Sequence, residues 1–133
     1  MTMHTILQPA GWAKPKGYAN GVAAEGRMIF VAGQIGWDSE GRFPDPSFVG
    51  QFRRTLENTL AVLREGGAGP EHVVRMTWYV VDKSEYLGEA SEVGRVWREL
   101  MGANYPAMAV VEVSALMENA AKIEIETTAV VPR

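Results

Sequence analysis

Residues 122–131 read Lys-Ile-Glu-Ile-Glu-Thr-Thr-Ala-Val-Val, and polar side chains alternate there with apolar or small ones up to residue 129. A repeat of two residues places successive side chains on opposite faces of a β-strand. Residues 73–81, Val-Val-Arg-Met-Thr-Trp-Tyr-Val-Val, are rich in β-branched and aromatic residues and also predict a strand. The two segments therefore predict a sheet, and the second of them has apolar side chains on both faces.

Changes of period along the chain predict the remaining elements. Residues 18–24, 28–33 and 107–115 predict three more strands. From Phe48 apolar side chains recur at helical spacing, and a second helical stripe runs from Leu87 to Met101 behind a cap at Ser84. The order β-β-α-β-α-β-β predicts an α+β fold, in which two helices cover one face of a single mixed sheet.

Such a sheet has a second face that the two helices do not cover. Met28 and Phe30 alternate with Ile29 and Val31, so the strand that they form is apolar on both sides. Soluble monomers rarely expose an apolar patch of that size. We therefore expect other copies of the chain to bury this face in a homo-oligomer closed by rotational symmetry.

Length and composition limit the functional classes. The 133 residues suit one domain, 1–133, and an apolar fraction of 47% is typical of a folded protein. Sixteen acidic and 13 basic residues give a net charge of −3, which argues against a nucleic-acid or anionic-membrane partner. With no cysteine and only two histidines, the sequence predicts no metal site, and no phosphate-binding motif suggests a cofactor.

The compartment is predicted from the absence of targeting signals. The stretch from Met1 to Thr5 lacks the charged and apolar regions of a signal peptide. No apolar run approaches the roughly 18 residues that a membrane-spanning helix needs. We expect a cytoplasmic protein.

Paired carboxylates are the first candidates for chemistry. Glu124 and Glu126 lie two residues apart on a strand, so both project from one face, where paired carboxyl groups can act as acid and base. Spacing alone favours a simpler interpretation, a solvent-exposed strand face. We expect Glu112, on the adjacent predicted strand, to lie near this pair.

Four segments of the chain occur in a recognisable order. They are Lys16-Gly17-Tyr18-x-x-Gly21, Ile29-Phe30-Val31-Ala32-Gly33-Gln34-Ile35, Gln51-x-x-x-Thr55-Leu56-Glu57-Asn58, and Tyr105-Pro106-Ala107-Met108-Ala109-Val110-Val111-Glu112-Val113 followed by Lys122-Ile123-Glu124-Ile125-Glu126. Together they resemble the RidA/YjgF family of enamine/imine deaminases, and the resemblance covers about residues 17–131. It implies a chorismate-mutase-like fold, with trimers whose sheets form an inner barrel and whose pockets lie between subunits. It also implies hydrolysis of reactive 2-enamine and 2-imine acids to 2-oxo acids and ammonia without a cofactor.

The same resemblance assigns roles to individual residues. It implies that Glu124 positions the attacking water, which reverses the interpretation from spacing alone. It implies that Tyr18 lines the cleft, and that backbone groups around Gly33 and at Val110 complete the pocket. Ala32, before Gly33, stands where many members carry serine.

The chain departs from the family pattern at two further positions. Met108 stands where active members carry the arginine that pairs with the substrate carboxylate, and Lys16 stands where proline is usual. Methionine cannot form that charged pair, so we expect a substrate class shifted away from simple 2-imino acids. Another arginine, such as Arg27 or Arg75, would restore carboxylate binding. The alternative function is a non-catalytic trimeric protein that binds a small metabolite or acts like a chaperone.

Overall fold

The structure is a computed structural model that describes residues 4–133. Residues 1–3 lie outside the described residues. They belong to the stretch from Met1 to Thr5, in which the sequence predicts no signal peptide. The strands are β1 Thr5–Leu7, β2 Gly21–Ala23, β3 Arg27–Gln34, β4 Val73–Val80, β5 Ala107–Glu112 and β6 Ile123–Val131, and the helices are α1 Phe48–Glu65, α2 Lys83–Gly88 and α3 Ala90–Met101.

The main sheet is four-stranded, in the order β3-β6-β4-β5. Strands β4 and β5 pair in parallel and the other neighbours pair antiparallel, so the sheet is mixed. The α+β fold with one mixed sheet and two main helices is confirmed. Strands β1 and β2 form a separate ribbon, and β1 was not predicted because its three exposed residues are too few to show a period.

The helices begin and end at recognisable residues. The side chain of Ser47 accepts the backbone N–H of Gly50 at the start of α1, and Gly67, with a φ of 75°, follows its end. The predicted cap at Ser84 is wrong. Asp82 caps α2, and the chain turns at Glu89 before α3 begins. Leu87 therefore does not lie on the apolar stripe of α3, and it is 57% exposed.

The main sheet has one covered face and one open face. On the covered face, side chains such as Met76, Ile123 and Ile125 are completely buried against α1 and α3. On the open face, defined here by Met28, Phe30, Arg75, Tyr79, Glu124 and Glu126, the helices cover nothing, and Met28 and Phe30 are 56% and 71% exposed. Each chain thus exposes apolar side chains on the second face of the sheet, as the sequence predicts.

A buried glutamine fixes the start of β6. The Gln51 side chain on α1 donates to the carbonyl of Ala120 at 2.9 Å and accepts the N–H of Lys122 at 2.8 Å. These two bonds hold the segment that leads into Ile123 and Glu124. The position of Glu124 on the sheet therefore depends on α1 as well as on strand pairing.

Candidate functional site

A β-bulge brings Gly33 under the carboxyl group of Glu124. Val31 pairs with Thr127 and Gln34 with Ile125, so two residues of β3 face one residue of β6 between these pairs. A Cβ atom built on Gly33 would lie 2.7 Å from the Cδ atom of Glu124. Gly33 therefore leaves the space that the Glu124 carboxyl group occupies, and we call Gly33 and Glu124, with adjacent exposed Ala32, the carboxylate half.

The two carboxylates of β6 are bonded differently. The Tyr79 hydroxyl donates to Oε1 of Glu126 at 2.6 Å, and this bond raises the pKa of Tyr79. Within residues 4–133 no hydrogen bond or ion pair engages the Glu124 carboxylate, so its oxygens are free to accept a proton or hold water. The expectation that Glu112 lies near this pair is wrong, because β4 separates β5 from β6 and Glu112 accepts the N–H of Lys83 at 2.8 Å.

Three other predicted residues meet in a cavity of about 470 Å³. Tyr18, Met108 and Val110 all line it, and we call this cavity the pocket half. Ala19 is fixed beside β5, since its N–H donates to the carbonyl of Pro106 at 2.9 Å, and this places Tyr18 at the cavity. A volume of this size is usual for small-molecule sites.

An aromatic cluster forms much of the pocket half. The rings of Trp97 and Tyr105 stack with centroids 6.1 Å apart, and Trp78 lies 5.8 Å from Trp97 and 6.2 Å from Tyr86. All four residues line the cavity, and burial raises the pKa of Tyr86. Trp78 and Trp97 are buried, with exposures of 3% and 4%, and their lining of a cavity was not predicted.

The charged residues of the pocket half were missed by sequence reasoning. Lys16 and Arg98 both line the cavity. Neither of the two arginines suggested as replacements does so: Arg27 donates to the carbonyl of Gly66 at 2.8 Å, and Arg75 lies on the open face in a shallow depression with Glu126. No local motif in the sequence marks Arg98, and Gly94 one helical turn earlier is a weak signal because an isolated glycine is tolerated inside a helix.

The carboxylate half and the pocket half lie on opposite faces of the sheet. Met108 pairs with buried Met76 and Val110 with buried Trp78, so both side chains lie on the covered face. Glu124 lies on the open face between buried Ile123 and Ile125. One chain therefore does not bring Glu124 together with Tyr18, Met108 and Val110.

The described residues also bear on metal binding and on membrane insertion. Among residues 4–133, no three histidine, aspartate or glutamate side chains are grouped so that they could hold a metal ion. The helices within the described part of the chain are too short or too polar to cross a membrane.

Comparisons with known proteins agree with this fold and these motifs. A family model described as Endoribonuclease L-PSP matches residues 12–131. The chain is 37% identical to a RutC family protein of Pyrococcus abyssi over 117 residues, 87% of this chain and 88% of that protein. It is 29% identical to the human 2-iminobutanoate/2-iminopropanoate deaminase over 105 residues, 78% of this chain and 73% of that one. The solved structure of a Rid-family protein of unknown function from Yersinia pestis matches with a TM-score of 0.87 at 30% identity, over 98% of this chain and 100% of that one. The protein thus belongs to the RidA/YjgF family.

Proposed function

We propose that this protein is a hydrolase of the enamine/imine deaminase type, acting on a small reactive imine or enamine other than the simplest 2-imino acids. Family membership supports the reaction class, since the human relative is named as a 2-iminobutanoate/2-iminopropanoate deaminase. Met108 in the place of the carboxylate-binding arginine supports the shift in substrate. No cofactor is needed, because water and a proton acceptor suffice for this hydrolysis.

The observation that carries this proposal is the Glu124 carboxylate beside Gly33, which no hydrogen bond or ion pair engages within residues 4–133. A water bound to this carboxylate attacks the carbon of the C=N bond and loses a proton to it, while the imine nitrogen gains a proton. The resulting carbinolamine then breaks its C–N bond, and the products are a carbonyl compound and ammonia. An enamine substrate first takes a proton on carbon and becomes the imine.

The separation of the two halves supports a site built between subunits. The sheet carries Glu124 on one face and Tyr18, Met108 and Val110 on the other side, so the pocket half of one chain needs the carboxylate half of another. A cyclic oligomer supplies one such junction at each interface. We propose the homotrimer that the family resemblance implies, with open faces turned inward so that they bury Met28 and Phe30.

The test uses two carboxylates of one strand face. An L-amino acid oxidase generates imines in the assay, and the rate at which the protein accelerates ammonia release is compared for wild type, Glu124→Gln and Glu126→Gln. We expect Glu124→Gln to lower the rate about 100-fold or more, as for loss of a general base. Glu126→Gln is the matched control and keeps the rate, since Tyr79 can still donate to its amide oxygen. Equal rates for wild type and Glu124→Gln contradict catalysis by Glu124.

Met108 also favours a second candidate, a trimeric protein that binds a small metabolite without converting it. Met108 and Val110 pack against the hydrophobic core, so the pocket half carries no cation at the usual position. If Glu124→Gln changes the affinity for a bound metabolite while the wild type turns over no imine, the function is metabolite binding without catalysis. The variant Met108→Arg gives a further comparison, because a gain of activity on 2-iminobutanoate in that variant alone indicates an intact site with altered specificity.

A further inference from the structure

The described residues that line the pocket half carry positive charge and no negative charge. Lys16 and Arg98 line it, and its other lining residues are apolar, aromatic or glycine. No aspartate or glutamate of residues 4–133 lines this cavity, although the whole chain has a net charge of −3. A cavity with two cations and no anion, in an acidic protein, favours an anionic ligand.

Of the two cations, Arg98 suits a carboxylate better, because only a guanidinium can form a bidentate pair with it. Five ion pairs within residues 4–133 engage Arg42, Arg53, Arg95 and Lys122, but none engages Arg98. Arg98 lies in the last turn of α3, one turn after Gly94, and its Nη1 atom would lie 3.3 Å from a Cβ atom on Gly94. The guanidinium therefore lies along the helix surface at the cavity, in space that most other residues at position 94 would partly fill.

The other residues that line the cavity determine the chemical character of the rest of the ligand. The aromatic cluster of Trp78, Tyr86, Trp97 and Tyr105, together with Met108 and Val110, provides an apolar wall. Aromatic rings and a flexible methionine pack well against a flat apolar or aromatic group. The volume of about 470 Å³ leaves room for such a group beside a carboxylate.

We propose that Arg98, assisted by Lys16, takes over anion binding from position 108, and that the ligand is a small carboxylate with an aromatic or bulky apolar body. This inference rests on the proposed function only for the identity of the reactive group, and it gives the substrate class: imines of aromatic or bulky apolar 2-amino acids. Because the guanidinium that binds the anion is on α3 and not on β5, position 108 can be methionine, and the apolar part of the ligand packs against Met108. The bidentate pair between guanidinium and carboxylate fixes the orientation of the ligand.

Binding is measured by isothermal titration calorimetry with benzoylformate, an unreactive aromatic 2-oxo acid. Its neutral methyl ester and the smaller pyruvate are the comparison ligands. We expect wild type to prefer benzoylformate over pyruvate, and Arg98→Gln to weaken benzoylformate binding about 10-fold or more without changing affinity for the ester. Arg98→Lys retains the charge but not the bidentate geometry, and we expect it to lie between wild type and Arg98→Gln.

Arg95→Gln is the matched control, because Arg95 lies on the same helix, pairs with Glu92 and does not line the cavity. It should bind benzoylformate like wild type. Equal affinity of wild type and Arg98→Gln overturns the proposal, and so does a wild type that binds none of the three compounds at millimolar concentration. The two proposals fail separately: if the wild type turns over no imine, or Glu124→Gln turns it over as fast as wild type, while benzoylformate binding still depends on Arg98, the anion site stands and the proposed catalysis fails.

Discussion

Replacing Gly33 with alanine moves the Glu124 carboxyl group without damaging the fold. Gly33 lies in β3 outside the left-handed region, so its backbone accepts alanine. The added methyl group would lie 2.7 Å from Cδ and 3.0 Å from Cγ of Glu124, and the side chain must move away. Since the displaced atoms are the flexible end of a partly exposed side chain, we expect little loss of stability. Alanine also restricts the backbone of the unfolded chain, which should raise the free energy of unfolding by about 0.4–1 kcal/mol.

The expected loss of activity is large by comparison. A displacement of about 1 Å of a catalytic group lowers rates roughly 100-fold, which corresponds to about 2.7 kcal/mol of transition-state stabilisation. Gly33→Ala should therefore keep or slightly raise the urea midpoint while kcat/KM for imine hydrolysis falls by about two orders of magnitude. The two effects have opposite signs, so a general loss of structure cannot imitate them.

Gly88→Ala is the matched control for this substitution. Gly88 lies in α2 and has no positive φ, and within residues 4–133 no atom beyond its chain neighbours and its own helix backbone lies within 4 Å of a Cβ atom built there. It should leave kcat/KM unchanged. If Gly33→Ala retains full activity, or loses activity only together with a clear drop in the urea midpoint, the role of Gly33 in placing Glu124 is refuted.

Three other predictions concern packing and assembly. Thr127 is 3% exposed and its Oγ1 has no hydrogen-bond partner within residues 4–133, so Thr127→Val should raise the free energy of unfolding in urea by about 1 kcal/mol. The control Thr59→Val loses the bond of 2.9 Å to the Thr55 carbonyl and should not stabilise the protein. If both variants are stabilised, the missing hydrogen bond of Thr127 is not the cause. Gln51→Leu leaves two backbone groups near Ala120 unpaired and should lower the same free energy by roughly 3 kcal/mol, whereas a loss below about 1 kcal/mol would show that water replaces the amide. Sedimentation equilibrium should give three times the chain mass of 14.6 kDa for wild type and a smaller mass for Phe30→Glu, and a wild-type monomer at micromolar concentration refutes the buried open face.

The alternation in residues 122–129 predicted the faces of the β6 side chains up to Ala129, because a period of two is a local property of an extended chain. It therefore placed Glu124 and Glu126 together and opposite Ile123 and Ile125, as the structure shows. Local periodicity does not determine which strands are neighbours. For that reason Glu112 was expected beside Glu124, although β4 lies between their strands.

The pocket half depends on packing between distant segments, and this explains what the sequence did not reveal. Tyr18 reaches the cavity because Ala19 pairs with Ala107, and Arg98 reaches it because α3 packs on the covered face beside them. No motif in the sequence joins these positions. The break at Glu89 was missed although Gly88 precedes it, because an isolated glycine is tolerated inside a helical pattern and Gly88 has no positive φ that would mark a helix end.

The central claim is that the carboxylate half of one chain completes the pocket half of another, and mixing two inactive variants tests it most directly. Glu124→Gln removes the proton acceptor, and Arg98→Glu repels the anionic substrate. When equal amounts are unfolded in urea together and refolded, about one quarter of the sites should combine two intact halves, and imine hydrolysis should return to about that fraction of wild type. If the refolded mixture is as inactive as each variant refolded alone, both halves act within one chain and the claim is contradicted.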